Sequence, residues 1–267
     1  MDDWDLYDRW EGRPILWGAP LETLGDLCRS LRELSRPAPI ACWSQGPYFG
    51  WDVIEGRRRT APTPDELRLQ AYHALSSRIT SLYWYNLSLR SLVQFRDTID
   101  EITRIGREIR LLDDFYLNGN AYRFQQARRD NKPDWDLASI VSPRGALLFA
   151  LDLDYTPSRS TRVFEFRNRR EAVFSFPLPA YLRRVADVFR VDADGVYPVN
   201  YNVTDQGVQI ADKQSKVAIY VATPYPEMRT LIEGKRQTLL VYEQSLNFDP
   251  ANKNRDFELL KAGLSAK

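Results

Sequence analysis

Between residues 20 and 112, stretches with an apolar residue every three or four positions alternate with short uncharged runs. The first stretch begins at Pro20 and predicts an amphipathic helix, with leucines at positions 21, 24, 27, 31 and 34. The uncharged runs at 40–44 and 81–85 predict two buried strands. A helix between them opens with a capping box, in which Thr63 is the cap and Glu66 the third helical residue. A further helix is predicted up to residue 112.

Two uncharged strands joined by a helix predict a βαβ crossover with a parallel strand pair. Such pairs occur in doubly wound sheets and in (β/α)₈ barrels, and both folds bind ligands beyond the carboxyl ends of the strands. The segments expected there are 45–62 and 86–91. A complete barrel needs eight strands, whereas this region offers two, or three if residues 14–17 pair with them. We therefore expect either the back end of a larger barrel or a reduced fold.

After residue 118 the pattern changes to short β-rich segments separated by turn signals such as Asp194-Gly195 and Gln206-Gly207. About eight short strands at this spacing predict an antiparallel sandwich. A helical pattern returns after residue 224 and predicts a C-terminal hairpin of two helices. The predicted fold class is thus α/β plus all-β. The predicted domains are a partial (β/α)-barrel segment at 1–118, a β-sandwich at 119–223, and C-terminal helices at 224–267.

Composition limits the classes of binding partner that this chain can have. The 267 residues include 37 Lys+Arg and 36 Asp+Glu, and this balance disfavours nucleic acid and polybasic membrane binding. Two cysteines, Cys28 and Cys42, are too few for a disulfide scaffold and are expected to be buried thiols. The single histidine, His73, is expected to be an ordinary helix residue. We predict no metal site and no cofactor, and a soluble chain without signal peptide or membrane span; the compartment is not identified.

Three segments carry a resemblance to a known family: PIACWSQG at 39–46, TPDELR at 63–68 and LYWYN at 82–86. Together they resemble the last two βα units of a glycoside-hydrolase-like TIM barrel, closest in character to β-galactosidase-type (family 42-like) proteins and uncharacterised bacterial, including planctomycete, relatives. The resemblance covers about 80 residues. It implies a β-sandwich behind the barrel and a carbohydrate-related function.

The chain departs from that family where catalysis is concerned. Retaining barrel glycosidases use a pair of carboxylates, and the resemblance puts Gln45 at the position of the nucleophile. The acid/base residue would come from a fourth strand that this chain does not contain. Asp52 and Glu55 are the loop carboxylates that could replace it, although solvated loop charges are the simpler interpretation. We therefore expect no catalysis by this chain alone.

Aromatic residues cluster at the two strand ends, with amides beside them. The predicted sugar-binding residues are Trp43, Gln45, Tyr48, Trp51, Trp84, Tyr85 and Asn86. Sugars stack their C–H faces on aromatic rings, and amides bind hydroxyls as both donor and acceptor. The alternatives are that the strand tryptophans belong to the core, or that the aromatics form an interface. The second function considered is therefore a non-catalytic interaction module, whose partner is an upstream barrel half or a second copy of the chain.

Overall fold

The computed structural model describes residues 7–10, 13–16, 20–47, 61–85, 89–157, 163–245, 258–259 and 261–263. Its helices are α1 (Thr23–Ser35), α2 (Pro64–Ser76), α3 (Leu89–Gln94), α4 (Arg96–Leu111), α5 (Asp113–Asn118) and α6 (Met228–Ser245). Its strands are β1 (Tyr7–Trp10), β2 (Arg13–Leu16), β3 (Ala41–Gln45), β4 (Ser81–Tyr85), β5 (Asn120–Arg129), β6 (Lys132–Ser142), β7 (Gly145–Asp152), β8 (Tyr155–Pro157), β9 (Phe164–Phe166), β10 (Arg170–Pro177), β11 (Asp187–Val191), β12 (Val196–Pro198), β13 (Asn200–Val203), β14 (Gly207–Gln214) and β15 (Val217–Thr223).

The predicted βαβ crossover is present. β3 and β4 pair in parallel, with Trp43 opposite Tyr83, and α2 connects them and packs on both strands. The predicted capping box is confirmed, because Thr63 Oγ1 accepts a hydrogen bond from Glu66 N and Glu66 Oε2 accepts one from Thr63 N. Pro64 occupies the first helical turn, where its missing N–H costs nothing.

The predicted leucine stripe is buried only at its N-terminal end, where Leu21 is buried and Leu24 packs, partly buried, against Cys28 and Cys42. Leu27, Leu31 and Leu34 are all exposed, the last by 84%. The buried positions of α1 are Gly25 and Cys28, a different face of the helix. A Cβ on Gly25 would lie 3.2 Å from His73, so the missing side chain lets α1 approach α2 closely.

The second half consists of antiparallel strands, as predicted. Six strands form one sheet in the order β12-β11-β15-β7-β6-β5, and β10-β14-β13 form another. The two sheets share a buried cluster in which Trp135 and Tyr220 of the first meet Phe174 of the second. The edge strand β5 was not predicted, because its sequence, NAYRFQQARR, is polar and mostly exposed. An edge strand rich in arginine also resists pairing with other chains.

The other face of the six-stranded sheet is covered by helices. Its largest buried cluster combines Tyr72 of α2 and Phe115 of α5 with Phe149 of β7, so the first half of the chain packs directly on the second. Glu66 adds a polar link, because its Oε1 accepts a hydrogen bond from Phe164 N at 2.6 Å. Of the predicted C-terminal hairpin, α6 is present, whereas the second helix lies mostly outside the described residues.

The N-terminal segment 14–17 does not supply a third parallel strand. β2 instead pairs with β1 as an antiparallel hairpin. The described residues therefore combine helices with mainly antiparallel sheets and contain no closed barrel. The partial-barrel interpretation rests on the β3–α2–β4 unit alone.

Candidate functional site

The candidate site is the open face of the two-stranded parallel sheet. Side chains alternate along β3, so that Cys42 and Ser44 are buried while Trp43 is 63% exposed. On β4 the exposed residues are Tyr83 at 46% and Tyr85 at 50%. Three aromatic rings from two neighbouring strands therefore share one accessible face.

The rings are in mutual contact. Trp43 stacks on Tyr83 with ring centroids 5.0 Å apart, and it meets Tyr85 edge-on at 6.3 Å. Each contact restricts the ring orientations, which makes the face more rigid than isolated exposed rings would be. Gln45 lies opposite Tyr85 in the strand register and, by alternation, on the same face as Trp43. Gln45 is partly exposed.

Trp84 does not belong to this face. It lies opposite Ser44 and packs, partly buried, against the main core. The alternation that exposes Tyr83 and Tyr85 necessarily turns the residue between them the other way. The structure thus separates Trp43 from Trp84, which the sequence analysis had placed in one set.

Tyr83 is exposed on this face but was not among the predicted sugar-binding residues. The parallel pairing of β3 with β4 is the information that identifies Tyr83. Residues paired across a sheet lie on the same face, so the partner of Trp43 had to share its exposure.

The other sequence candidates lie outside the described residues. These are Tyr48, Trp51, Asn86 and the two weak catalytic candidates Asp52 and Glu55. Their part in the site stays a prediction. Among the residues that are described, no group of three or more His, Cys, Asp or Glu side chains is arranged to hold a metal ion.

The single histidine is fully buried between the two halves of the chain. His73 Nδ1 lies 3.6 Å from Asp136 Oδ2, and both side chains are inaccessible to solvent. Burial lowers the pKa of His73 to about 3 and raises the pKa of Asp136 to about 6. His73 is therefore a neutral core residue at physiological pH and has no part in the open aromatic face. The two cysteines are free and buried, as predicted.

No protein-family model matches the chain, and no curated protein matches it. Among solved structures, the chain is similar to an Anoxybacillus alpha-amylase, described as giving insight into a new glycosyl hydrolase subclass. The sequences are 11% identical, the TM-score is 0.42, and the match covers 78% of this chain and 46% of that one. The chain thus spans about half the length of that structure. A likeness this distant carries no argument about mechanism, and the family 42 resemblance stays a prediction.

None of the described helices is both long and apolar enough to cross a membrane.

Proposed function

We propose that the open face of β3 and β4 binds carbohydrate and that this chain contributes binding rather than catalysis. The observation that carries the proposal is the cluster of Trp43, Tyr83 and Tyr85, three touching rings that remain about half exposed or more. Exposing large aromatic surface is unfavourable unless a ligand or partner covers it. Flat rings match the C–H faces of a pyranose, and the Gln45 amide offers a donor and an acceptor for hydroxyls.

The proposal includes an origin for this unit. On this view, β3–α2–β4 corresponds to the last part of a (β/α) barrel, and residues 119–223 form the trailing sandwich. The aromatic face would then point to the barrel interior, and Gln45 and Tyr85 would lie at its mouth, where barrel proteins bind ligands. Gln45 cannot act as a nucleophile, so the proposed role is to position a sugar.

The experiment is a titration with galacto-, gluco- and acidic oligosaccharides, in which the NMR signal of the Trp43 indole N–H is monitored. We expect a saturable shift for at least one sugar class. Tyr85→Ala should weaken that binding about fivefold, which corresponds to about 1 kcal/mol of lost ring contact. Trp43→Ala should abolish it. Because both side chains are exposed, both variants should fold normally.

Tyr181→Ala is the matched control, because Tyr181 is 60% exposed on a short turn between β10 and β11, away from the open face. It should bind like the wild type. If no sugar in the panel gives a saturable shift, or if Tyr181→Ala weakens binding as much as Tyr85→Ala does, the carbohydrate proposal fails.

A second candidate function, a non-catalytic interaction module, is favoured by the exposed stripe of Leu27, Leu31 and Leu34. Helix α1 packs on β3 through Cys28 and Cys42, so this stripe lies on the same unit as the aromatic face. Among the described strands, β3 pairs only with β4. A further βα unit, from an upstream barrel half or a second copy, would pair with β3 and pack its helix on the leucine stripe. Sedimentation of the wild type and of Leu34→Glu tests self-association: a concentration-dependent dimer that the substitution abolishes favours the second copy.

A further inference from the structure

A groove of about 620 Å³ lies at the end of the βαβ unit opposite the aromatic site. Ile40 and Thr80, the residues just before β3 and β4, form part of its wall, together with the start of β5. Gln45 and Tyr85 mark the other ends of the same strands. The groove and the aromatic face are therefore separate places, and a ligand in the groove does not depend on carbohydrate binding at the face.

Three guanidinium groups line this groove: Arg32 from α1, Arg36 at the end of α1, and Arg78 at the end of α2. None of the described residues that line it carries a carboxylate. Glu33 lies just outside it, with its Oε1 3.4 Å from Arg32 Nη1 and 3.1 Å from Arg36 Nη2. One exposed carboxylate thus pairs with two of the three cations, which leaves a local excess of positive charge.

Arg32 is largely shielded from solvent. Its side chain is 15% exposed, whereas that of Arg36 is 54% exposed. Burial lowers the pKa of Arg32, and the charges of Arg36 and Arg78 lower it further. Arg36 and Arg78 therefore both repel Arg32, and Glu33 offsets only part of that repulsion. An anion placed between them would remove that repulsion.

Arg78 occupies a backbone position that ordinarily belongs to glycine. It follows Ser77, the C-cap of α2, and has φ 61°. A non-glycine residue there is strained, and such strain is found at functional positions more often than elsewhere. Arg78 Nε donates a hydrogen bond of 2.8 Å to Gly119 O. That bond uses the inner nitrogen and leaves the two terminal nitrogens of the planar fork available to a ligand.

We propose that this groove binds a tetrahedral oxyanion, a phosphate or sulfate group, between Arg32, Arg36 and Arg78. Guanidinium forks match the oxygen spacing of phosphate and sulfate and bind them through paired, charge-assisted hydrogen bonds. Three neighbouring cations with a single carboxylate between them leave positive charge that such a dianion would neutralise. The group is either a free ion or an ester carried by a larger molecule, and both present the same oxygens.

Isothermal titration at constant ionic strength tests the proposal with three probes: inorganic phosphate, inorganic sulfate and glucose 6-phosphate. We expect saturable binding of at least one probe. Tighter binding of glucose 6-phosphate than of inorganic phosphate identifies an ester as the ligand class, and the reverse identifies the free ion. Chloride at the same ionic strength should give no saturable heat.

Arg78→Gly is the informative variant, since it removes one cation while placing glycine where φ is positive. Glycine relieves the backbone strain at this position and so offsets the lost hydrogen bond to Gly119 O. The variant should therefore fold, and lost binding would not be explained by unfolding. We expect its dissociation constant to rise at least about tenfold, the loss of one charge-assisted contact. Arg184→Gln removes an exposed arginine elsewhere and should bind like the wild type. Equal binding by Arg78→Gly and Arg184→Gln, or no saturable binding of any probe, would overturn the proposal.

Discussion

Asp136 is a buried acid that should make the protein less stable as pH rises. Only 1% of its surface is accessible, and it faces His73 and accepts a hydrogen bond of 3.2 Å from Gln126 Nε2. Burial raises its pKa from the ordinary value of 3.8 to about 6. Asp136→Asn removes the ionisation and keeps an oxygen acceptor for Gln126. The substitution should therefore stabilise the protein, and only where the wild-type carboxyl is charged.

The magnitude follows from proton linkage. A folded-state pKa of about 6 against 3.8 unfolded means that the folded protein holds this proton more tightly. The stabilisation is complete below the unfolded pKa and is lost as pH rises through the folded pKa. The full difference corresponds to about 3 kcal/mol. The free energy of unfolding of Asp136→Asn should thus exceed that of the wild type by about 3 kcal/mol at pH 8 and by less than about 1 kcal/mol at pH 4.

Urea unfolding followed by circular dichroism at pH 4, 6 and 8 measures this difference. His73 is present in both proteins, so its own titration cancels. Asp205→Asn, at an exposed turn, is the control and should show no such pH dependence. An advantage of Asp136→Asn that is equal at pH 4 and pH 8, or a wild type that is the more stable at pH 8, would refute the reasoning.

Two further substitutions test the packing between the halves and within the sheets. Glu108→Ala should lower the free energy of unfolding, measured in urea, by about 3–5 kcal/mol. Glu108 is fully buried, and its loss leaves the Arg68 guanidinium, 2.8 Å away, without that charge partner. A decrease below about 1 kcal/mol would mean that water reaches Arg68. Gly207→Ala should lower stability by about 3 kcal/mol, since its Cβ would lie 2.0 Å from Phe176 O. Gly234→Ala on α6, with nothing within 4 Å of the added Cβ, should instead raise the melting temperature slightly, and equal effects of the two substitutions would contradict the packing argument.

Local chemistry in the sequence predicted local structure well. The capping residues Thr63 and Glu66 located the start of α2, and Asp194-Gly195 located the turn between β11 and β12. In that turn Asp192 Oδ1 accepts hydrogen bonds from Asp194 N at 2.9 Å and Gly195 N at 3.1 Å. Such signals act over a few residues, so no tertiary knowledge is needed to interpret them.

Which face of an element is buried could not be predicted in the same way. The leucines of α1 define a clear stripe, yet the helix packs through Gly25 and Cys28 because glycine permits the closer approach to α2. The 196–203 segment looks like one strand, but β12 joins the six-stranded sheet and β13 the three-stranded sheet. Both outcomes depend on neighbours distant in sequence, which periodicity does not contain.

The candidate site illustrates the same division. Composition drew attention to Trp43 and Tyr85, which are both exposed, whereas Tyr83 and Trp84 could only be assigned to a face once the register was known. The parallel register places Trp43 against Tyr83 and turns Trp84 inward. Adjacent aromatic residues on a strand therefore lie on opposite faces, one toward the core and one toward solvent.

The two proposed sites lie at opposite ends of one βαβ unit, and α2 is the element common to both. Its N-terminal cap is tied to the second half of the chain through Glu66 and Phe164, and its C-terminal end places Arg78 in the arginine groove. α2 also packs on β3 and β4, the two strands that carry the aromatic face. A rigid helix of this kind would hold both sites in place independently of each other. Loss of one ligand's binding in a variant should therefore leave the other unchanged.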